Sequence, residues 1–426
     1  MEIKVMRLKA VMDLLKPAIN KKATLKATTF VCLHNGHAIA TNLESMIIAN
    51  VPEATESMLL PYSEIAGVLS YIPCNDTLKI EQKDKVIHLT WSDGSSSYPT
   101  EDFEDFPVLP ELATKAEGLI DGDALLKAIK ATLPYAATDE AMPVLHGVTV
   151  VLGSPVEVAA GDGFRASHQV LNISFPNYEG KIIIPLHAVS VMEHVFDKTP
   201  RTPPDDADSL IQVVTAKRML HMSIIGENKL RLDFGTSASL VINLTDGNPP
   251  DFIALLPKGE PILQTQLFAP QFEAAIKRVK EIAKGGSGIT RLEFADGKVK
   301  ISAKSEDREI STKIDAILTQ GEPGRVAINY VYLLDYLNKK SGIITMSQFT
   351  EQGPVQFEYQ QYPKVLIMPM FVNWETGEAI DTKKKEEPAA EEEGVAEGKR
   401  KKRPLMKLRL NPLRKWKRVR KNKKCR

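Results

Sequence analysis

The chain has 426 residues, 43% hydrophobic and 26% charged, a globular composition with room for two to four ordinary domains. Cys32, Cys74 and Cys425 show neither metal-type pairing nor the density of a disulfide framework, which fits a reducing cytoplasm. The N-terminus lacks a long apolar signal stretch and no apolar run approaches the roughly 20 residues that span a bilayer, so the expectation is a soluble, cytoplasmic protein with no membrane partner.

In chain order, the first predicted element is an amphipathic helix opening near residue 7. Leu8, Val11, Met12, Leu15 and Ile19 fall at helical spacing, with Lys9, Asp13 and Lys16 off the stripe. Val31 and Leu33 then lead to Asn35-Gly36, a pair suited to the positive φ angles of a tight hairpin, followed by Ala38 and Ala40. An apolar strand ending Leu59-Leu60-Pro61 opens a second helix with the stripe Ile65, Val68, Leu69 and Ile72. Proline suits a first helical turn because the N–H it lacks would have no partner there. A strand around Ile87, Leu89 and Trp91 follows.

The same order returns twice. A helix near residue 122 (Leu125, Leu126, Ile129, Leu133) precedes a hairpin at Gly153-Ser154. Ile183-Ile184-Pro185 then opens a helix with Val189, Met192 and Phe196. A helix near residue 270 (Phe272, Ala275, Ile276, Val279, Ile282) precedes a hairpin at Asp296-Gly297, and a helix near 329 carries Tyr330, Leu333, Leu334 and Leu337. This recurrence predicts an α+β protein built from three copies of one unit, two helices on antiparallel sheets. The Pro-bearing stretches after Asp105-Phe106 and Asp251-Phe252 read as linkers and set the units at 1–118, 119–257 and 258–374.

Residues 375–426 remain outside the repeat. From 383 to 398, Lys and Glu blocks alternate with Ala, Gly and Pro, the composition of a disordered linker. From Lys399 onward there are 16 Lys or Arg and no acid. The formal net charge of +1 therefore hides a body near −15. An acidic body repels nucleic acid on average, so any DNA contact in it needs a local basic surface. The basic tail, with Trp416 able to stack on a base, is itself a candidate for non-specific nucleic-acid binding.

Catalytic signatures do not assemble. His34 and His37 flank a predicted turn with no metal-type cluster around them. Gly285-Gly286-Ser287-Gly288 follows a helix rather than a strand and no Gly-Lys-Ser/Thr accompanies it. Asp121-Gly122-Asp123 reads as a helix N-cap. No catalytic residue, metal or cofactor is expected. The competing class is a DNA-modifying or phosphate-handling enzyme on repeated α+β domains, which the lack of a carboxylate cluster disfavours.

Seven landmarks lie in order on the repeat: Lys21-Lys22-Ala23-Thr24-Leu25, Thr41-Asn42-Leu43-Glu44, Glu104-Asp105-Phe106-Pro107, Met142-Pro143-Val144-Leu145-His146-Gly147-Val148, Gly161-Asp162-Gly163-Phe164-Arg165, Pro250-Asp251-Phe252 with Leu256-Pro257, and Met368-Pro369-Met370. Together they resemble the β sliding clamp, the β subunit of bacterial DNA polymerase III, over roughly residues 1–372. The resemblance implies a head-to-tail homodimer closed into a ring around double-stranded DNA. It also implies a replicative DNA polymerase and other clamp-binding peptides as partners, and a separate ATP-dependent clamp loader.

On that reading Lys9, Lys16, Lys127, Lys130, Lys277, Lys280 and Lys284, on the polar faces of the first helices, are DNA-binding candidates. Lys22 joins them by family position, while Met142 stands where the family often has Arg. The partner-peptide pocket would use Leu145, Gly161, Gly163, Phe164, Arg165, Ala166, Pro250, Ala254, Leu255, Leu366, Ile367, Met368, Pro369 and Met370. The family commonly has Thr, His and Leu where Gly161, Phe164 and Ala166 stand, so a more apolar, differently shaped pocket is expected. The dimer interface would pair the strand around Ser96 and Tyr98 with the helix around Arg278 and Ile282.

Overall fold

The computed structural model describes residues 1–20, 25–107, 112–176, 178–199, 218–360 and 362–374. They belong to one compact unit, Met1–Ile380; the second unit, Asp381–Arg426, lies outside the described residues, and with it the linker and basic tail read from sequence.

Six α-helices are described, in three pairs: α1 (Val5–Leu15) with α2 (Tyr62–Leu69), α3 (Gly122–Thr132) with α4 (Leu186–Lys198), and α5 (Ala269–Gly285) with α6 (Tyr330–Leu337). Each begins within two residues of the position its apolar period predicts. The stripes are the buried faces: Leu8, Val11, Met12 and Leu15 of α1, and Phe272, Ala275, Ile276 and Val279 of α5, are all buried. Each such large apolar side chain contributes about 1.5–3 kcal/mol relative to exposure. Asp121 caps α3 by accepting from Ala124 N at 3.0 Å, and Asn329 caps α6 by accepting from Val331 N at 2.9 Å. Pro61 and Pro185 end strands and sit at the N-cap, one residue before the helical turn expected for them.

The strands form four antiparallel sheets whose order carries the architecture. One has four strands, β1-β6-β7-β8, with β1 Glu2–Lys4, β6 Thr77–Lys83, β7 Val86–Trp91 and β8 Gly94–Pro99. Another, β20-β19-β18-β22, uses Arg308–Asp315, Lys298–Ser305, Ile289–Ala295 and Arg325–Asn329. The other two are composite. In the eight-stranded sheet, β5-β2-β3-β4 from the first repeat (Met58–Pro61, Phe30–His34, His37–Thr41 and Ser45–Asn50) joins β16-β15-β14-β9 (Ala238–Asn243, Lys229–Phe234, Met219–Ile225 and Thr114–Asp121) from the second. In the nine-stranded sheet, β13-β10-β11-β12 from the second repeat (Gly180–Pro185, Gly147–Leu152, Val156–Gly161 and Arg165–Leu171) joins β25-β24-β23-β17-β21 (Lys364–Ile367, Val355–Glu358, Ile343–Gln348, Leu263–Phe268 and Ile317–Gly321) from the third.

Two seams result. β4 (Ser45–Asn50) pairs with β16 (Ala238–Asn243), and β12 (Arg165–Leu171) pairs with β25 (Lys364–Ile367). The hairpin β2–β3 turns at Asn35 and Gly36, φ 47° and 76°, and β18–β19 at Asp296 and Gly297, φ 51° and 70°, as their sequences require. β9 (Thr114–Asp121) pairs along its length with β14 (Met219–Ile225), so this strand straddles residue 118, where the sequence placed a boundary.

Candidate DNA-facing helices and partner cleft

The candidate lysines divide by what holds them. Lys9 donates to Ile72 O at 2.9 Å and reaches Cys74 Sγ at 3.5 Å, so its ammonium is turned onto the segment after α2. Lys130 on α3 is ion-paired with Glu193 on α4, and Lys277 with Glu273 one turn back on α5. Lys16, Lys127, Lys280 and Lys284 carry no hydrogen bond or ion pair among the described residues. Lys16 opens a 3-10 turn just past α1, not a helical face. Lys22 lies outside the described residues. The pairing of Lys130 with Glu193 was invisible in the sequence stripe, because a helical period shows what is off the core and not what crosses to a neighbour; Glu273 and Lys277 stand four residues apart on one helix, a spacing the sequence does show.

The cleft candidates gather at the second seam. Asp162 Oδ1 accepts from Phe164 N and Arg165 N at 3.0 and 2.9 Å, which tightens the turn before β12; Gly163 takes φ 91° there, where an L side chain would be strained. Met368 N donates to Phe164 O at 2.8 Å and carries the seam past β25. The first seam repeats this geometry. Asn42 Oδ1 accepts from Glu44 N and Ser45 N, Leu43 has φ 76°, and Asn243 N donates to Glu44 O at 2.9 Å. Backbone is shared; side chains are not. Where the second seam presents Phe164 and Met368, 60% and 42% exposed, the first presents Glu44 and Asn243. The first seam also exposes Leu43, at 53%, but has no counterpart of the Phe164 and Met368 pair.

Beneath it, Ala159, Ala166, Phe252 and Leu366 form a small buried cluster, with Leu145 and Leu256 packed against it. A Cβ at Gly161 would lie 2.7 Å from the Phe252 ring, so this glycine leaves room for Phe252. Asp251 Oδ1 accepts from Ile253 N and Ala254 N at 3.2 and 3.4 Å, bending the segment from Pro250 so that Leu255 stands half-exposed at the rim.

Two expected pocket residues have other work. Ile367 is fully buried in the core around α5 and α6, because strand alternation puts it on the opposite face of β25 from Leu366; its side chain is not part of the cleft surface. Arg165 is held between Asp162 at 2.8 Å and Asp335 of α6 at 2.7 Å, and lies 4.9 and 5.7 Å from the Tyr332 and Tyr135 ring centroids. Burial pushes both phenols up, Tyr135 well above the ordinary range. Arg165 thus fastens the second repeat to the third.

Pro369 and Met370 lead away from the cleft. Met370 N donates to Ala327 O at 2.7 Å, Val372 is buried against Ile289 and Ala327, and Trp374 stacks under Arg325 at 4.6 Å. Beside them lies a cavity of about 700 Å³, lined by Phe294, Glu322, Gln352 and Phe371 among others, which no sequence motif announces.

A profile of the DNA polymerase III beta subunit, C-terminal domain, matches residues 254–371. A beta sliding clamp homolog of Streptomyces muensis is 24% identical over 346 residues, spanning 78% of this chain and 86% of its own. The beta sliding clamp of Streptomyces coelicolor is 27% identical over 278 residues, 63% of this chain and 69% of its own. The fold is that of the DNA polymerase III beta subunit of Thermotoga maritima: TM-score 0.71, 19% identity, 87% of this chain and 99% of that one. All of these matches point to the bacterial β sliding clamp family, which this chain resembles over most of its length.

A clamp of this family works in DNA replication by holding on rather than by chemistry. The clamp of Pseudomonas aeruginosa, solved bound to griselimycin, matches with TM-score 0.73 and 17% identity over 87% of this chain and 99% of its own. The dimer candidates expected from the resemblance fall on edge elements of two different sheets. Ser96 and Tyr98 lie on β8, the last strand of its sheet, and Arg278 donates from α5 to Thr312 Oγ1 of the edge strand β20 at 3.3 Å, with Ile282 half-buried one turn on. Among the described residues no helix is long and apolar enough to cross a membrane.

Proposed function

We propose that this clamp closes as a head-to-tail homodimer around double-stranded DNA in the cytoplasm and tethers the replicative DNA polymerase through a peptide seated at the second seam. One observation supports the ring above the others. Both composite sheets are half-sheets of adjacent repeats joined edge to edge, and the two half-sheets left without a neighbour end in β8 and β20. An unpaired edge is a template for another strand. Joining β8 of one copy to β20 of a second extends the same rule, and a heterologous contact that closes after two copies makes a ring of six units. The division into units near 1–118, 119–257 and 258–374 follows that repeat, with the first boundary drawn before β9.

Within the ring, Lys16, Lys127, Lys280 and Lys284 supply free cations, Lys130 and Lys277 paired ones, and Lys9 and Lys22 complete the set of candidates. Phosphate contacts of this kind carry no sequence information, which suits a ring that must slide. Partner peptides with an apolar anchor would rest on Phe164, Leu255 and Met368 over the Leu145, Ala166 and Leu366 floor. Methionine adapts to more than one anchor shape. Opening would need a separate ATP-dependent clamp loader.

Sedimentation tests the ring directly: the expected mass is about twice 47.2 kDa. Chains loaded on nicked circular DNA should stay through gel filtration and leave once the circle is linearised. A persistent monomer, or equal retention on linear and circular DNA, overturns the ring.

A further inference from the structure

The end of α6 holds a lysine in an unusual setting. Lys340 follows the helix by three residues, and its ammonium donates to Tyr336 O, one of the last helical carbonyls. Tyr336, Tyr359 and Tyr362 surround it, with ring centroids 4.3, 5.9 and 5.8 Å from Nζ. Tyr359 is itself buried, Tyr362 is half-exposed, and the two rings lie 5.4 Å apart. Among the described residues no carboxylate is ion-paired with Lys340. Glu358, the acid on the adjoining strand, is committed to Lys364 at 3.4 Å, and Lys339 beside it adds like charge.

Ring faces attract a cation through their quadrupole. Removing an ammonium from water without a counter-charge costs more than such contacts return. Burial accordingly lowers the Lys340 ammonium from 10.5 to about 8. About a tenth of it is therefore neutral amine near pH 7, far more than for an ordinary exposed lysine.

We propose that Lys340 is a site of covalent acylation, reacting with small acyl phosphates or acyl thioesters in preference to the other lysines of the chain. The amine nitrogen attacks the acyl carbon, a C–N bond forms, the C–O bond to phosphate (or the C–S bond to thiolate) breaks, and the ammonium proton passes to water. The product is a neutral amide among three tyrosine rings, a setting that no longer bears the cost of a buried charge. Acylation also removes the cation from the C-terminal end of α6, the helix whose Asp335 and Tyr332 hold Arg165.

The test is competitive trace labelling of the folded, full-length chain with acetyl phosphate between pH 6.5 and 10, read lysine by lysine by peptide mass spectrometry. Near pH 7.5 the greater neutral fraction, less the lower nucleophilicity of a weaker base, predicts labelling of Lys340 about tenfold faster than Lys339, with a half-maximum near pH 8. Labelling no faster than Lys339 overturns the proposal. Tyr362→Ala opens the cage from its exposed side without touching the core. The rate advantage should fall toward one and the half-maximum should move up by a unit or more. An advantage that survives Tyr362→Ala shows that the cage is not its cause and equally overturns the proposal.

Discussion

Replacing Arg165 by methionine should unfasten the second repeat from the third at a calculable cost. The pair with Asp162 is 12% and 16% exposed, so breaking it leaves a largely buried carboxylate, worth about 3 kcal/mol. Asp335 lies as close, at 2.7 Å, but is 46% exposed; solvent screens it to about 0.5 kcal/mol. The stacking over Tyr332 and Tyr135 adds about 1 kcal/mol, and methionine returns part of the packing. The net loss is about 3–4 kcal/mol, which at slopes of about 2–3 kcal/mol/M lowers a urea midpoint by about 1–2 M. Urea melts give the size, and hydrogen exchange on the β12 and β25 amides gives the place. A loss under about 1 kcal/mol would refute this weighting, as would an Asp335→Asn loss equal to that of Arg165→Met, because it would make the exposed pair the stronger one.

Further outcomes follow from the site. Glu193→Gln and Glu273→Gln should release Lys130 and Lys277 and lengthen residence on circular DNA. Changing Lys127, Lys280 and Lys284 together to Gln should shorten it and flatten the salt dependence by up to about 0.9 in log–log slope per lost phosphate contact, measured by retention at several salt concentrations. Gly161→Thr places a Cβ 2.7 Å from Phe252, so the ring must shift at a cost of about 1–3 kcal/mol by thermal denaturation, and adding Phe252→Leu should recover much of it. The Lys198 hydrogen bond, against desolvation, holds the Asp13 carboxyl below its ordinary value of 3.8. A depressed carboxylate stabilises the fold above the unfolded pKa, and that contribution is lost as pH falls through the folded one. Lys198→Met should therefore flatten the acid limb of the stability profile below about pH 4, while an unchanged limb would remove this pair from the account.

Local periodicity carried much of the fold. The stripes of α1, α3 and α5 and the Asn-Gly and Asp-Gly turns are short-range patterns, and each sits within a residue or two of its expected place. The seams are not local. Nothing in Ser45–Asn50 names Ala238–Asn243 as its neighbour, and this pairing explains why two repeats share one sheet. The pocket residues came from resemblance, and the structure sorts them by strand face. Leu366 and Ile367 are adjacent in sequence and opposite in space, and Arg165 is a fastener because two acids and two rings converge on it from both sides of the seam. The pairing of Lys130 with Glu193 and the cage of Lys340 depend on neighbours that no spacing rule supplies, whereas the Glu273–Lys277 pair follows from its i,i+4 spacing.

The first seam also sets a timetable for synthesis. β4 emerges early, but its partner β16 follows roughly 190 residues later, about 10–40 s at ordinary bacterial elongation rates. During that interval the nascent chain offers a bare edge whose inner run, Met46-Ile47-Ile48-Ala49, contains no charge to discourage a stranger from pairing with it. β12 waits about as long for β25. A cell making this chain carries two sticky edges in turn on every ribosome, and slowing translation between residues 50 and 238 should raise the insoluble fraction more than the same delay placed after residue 367.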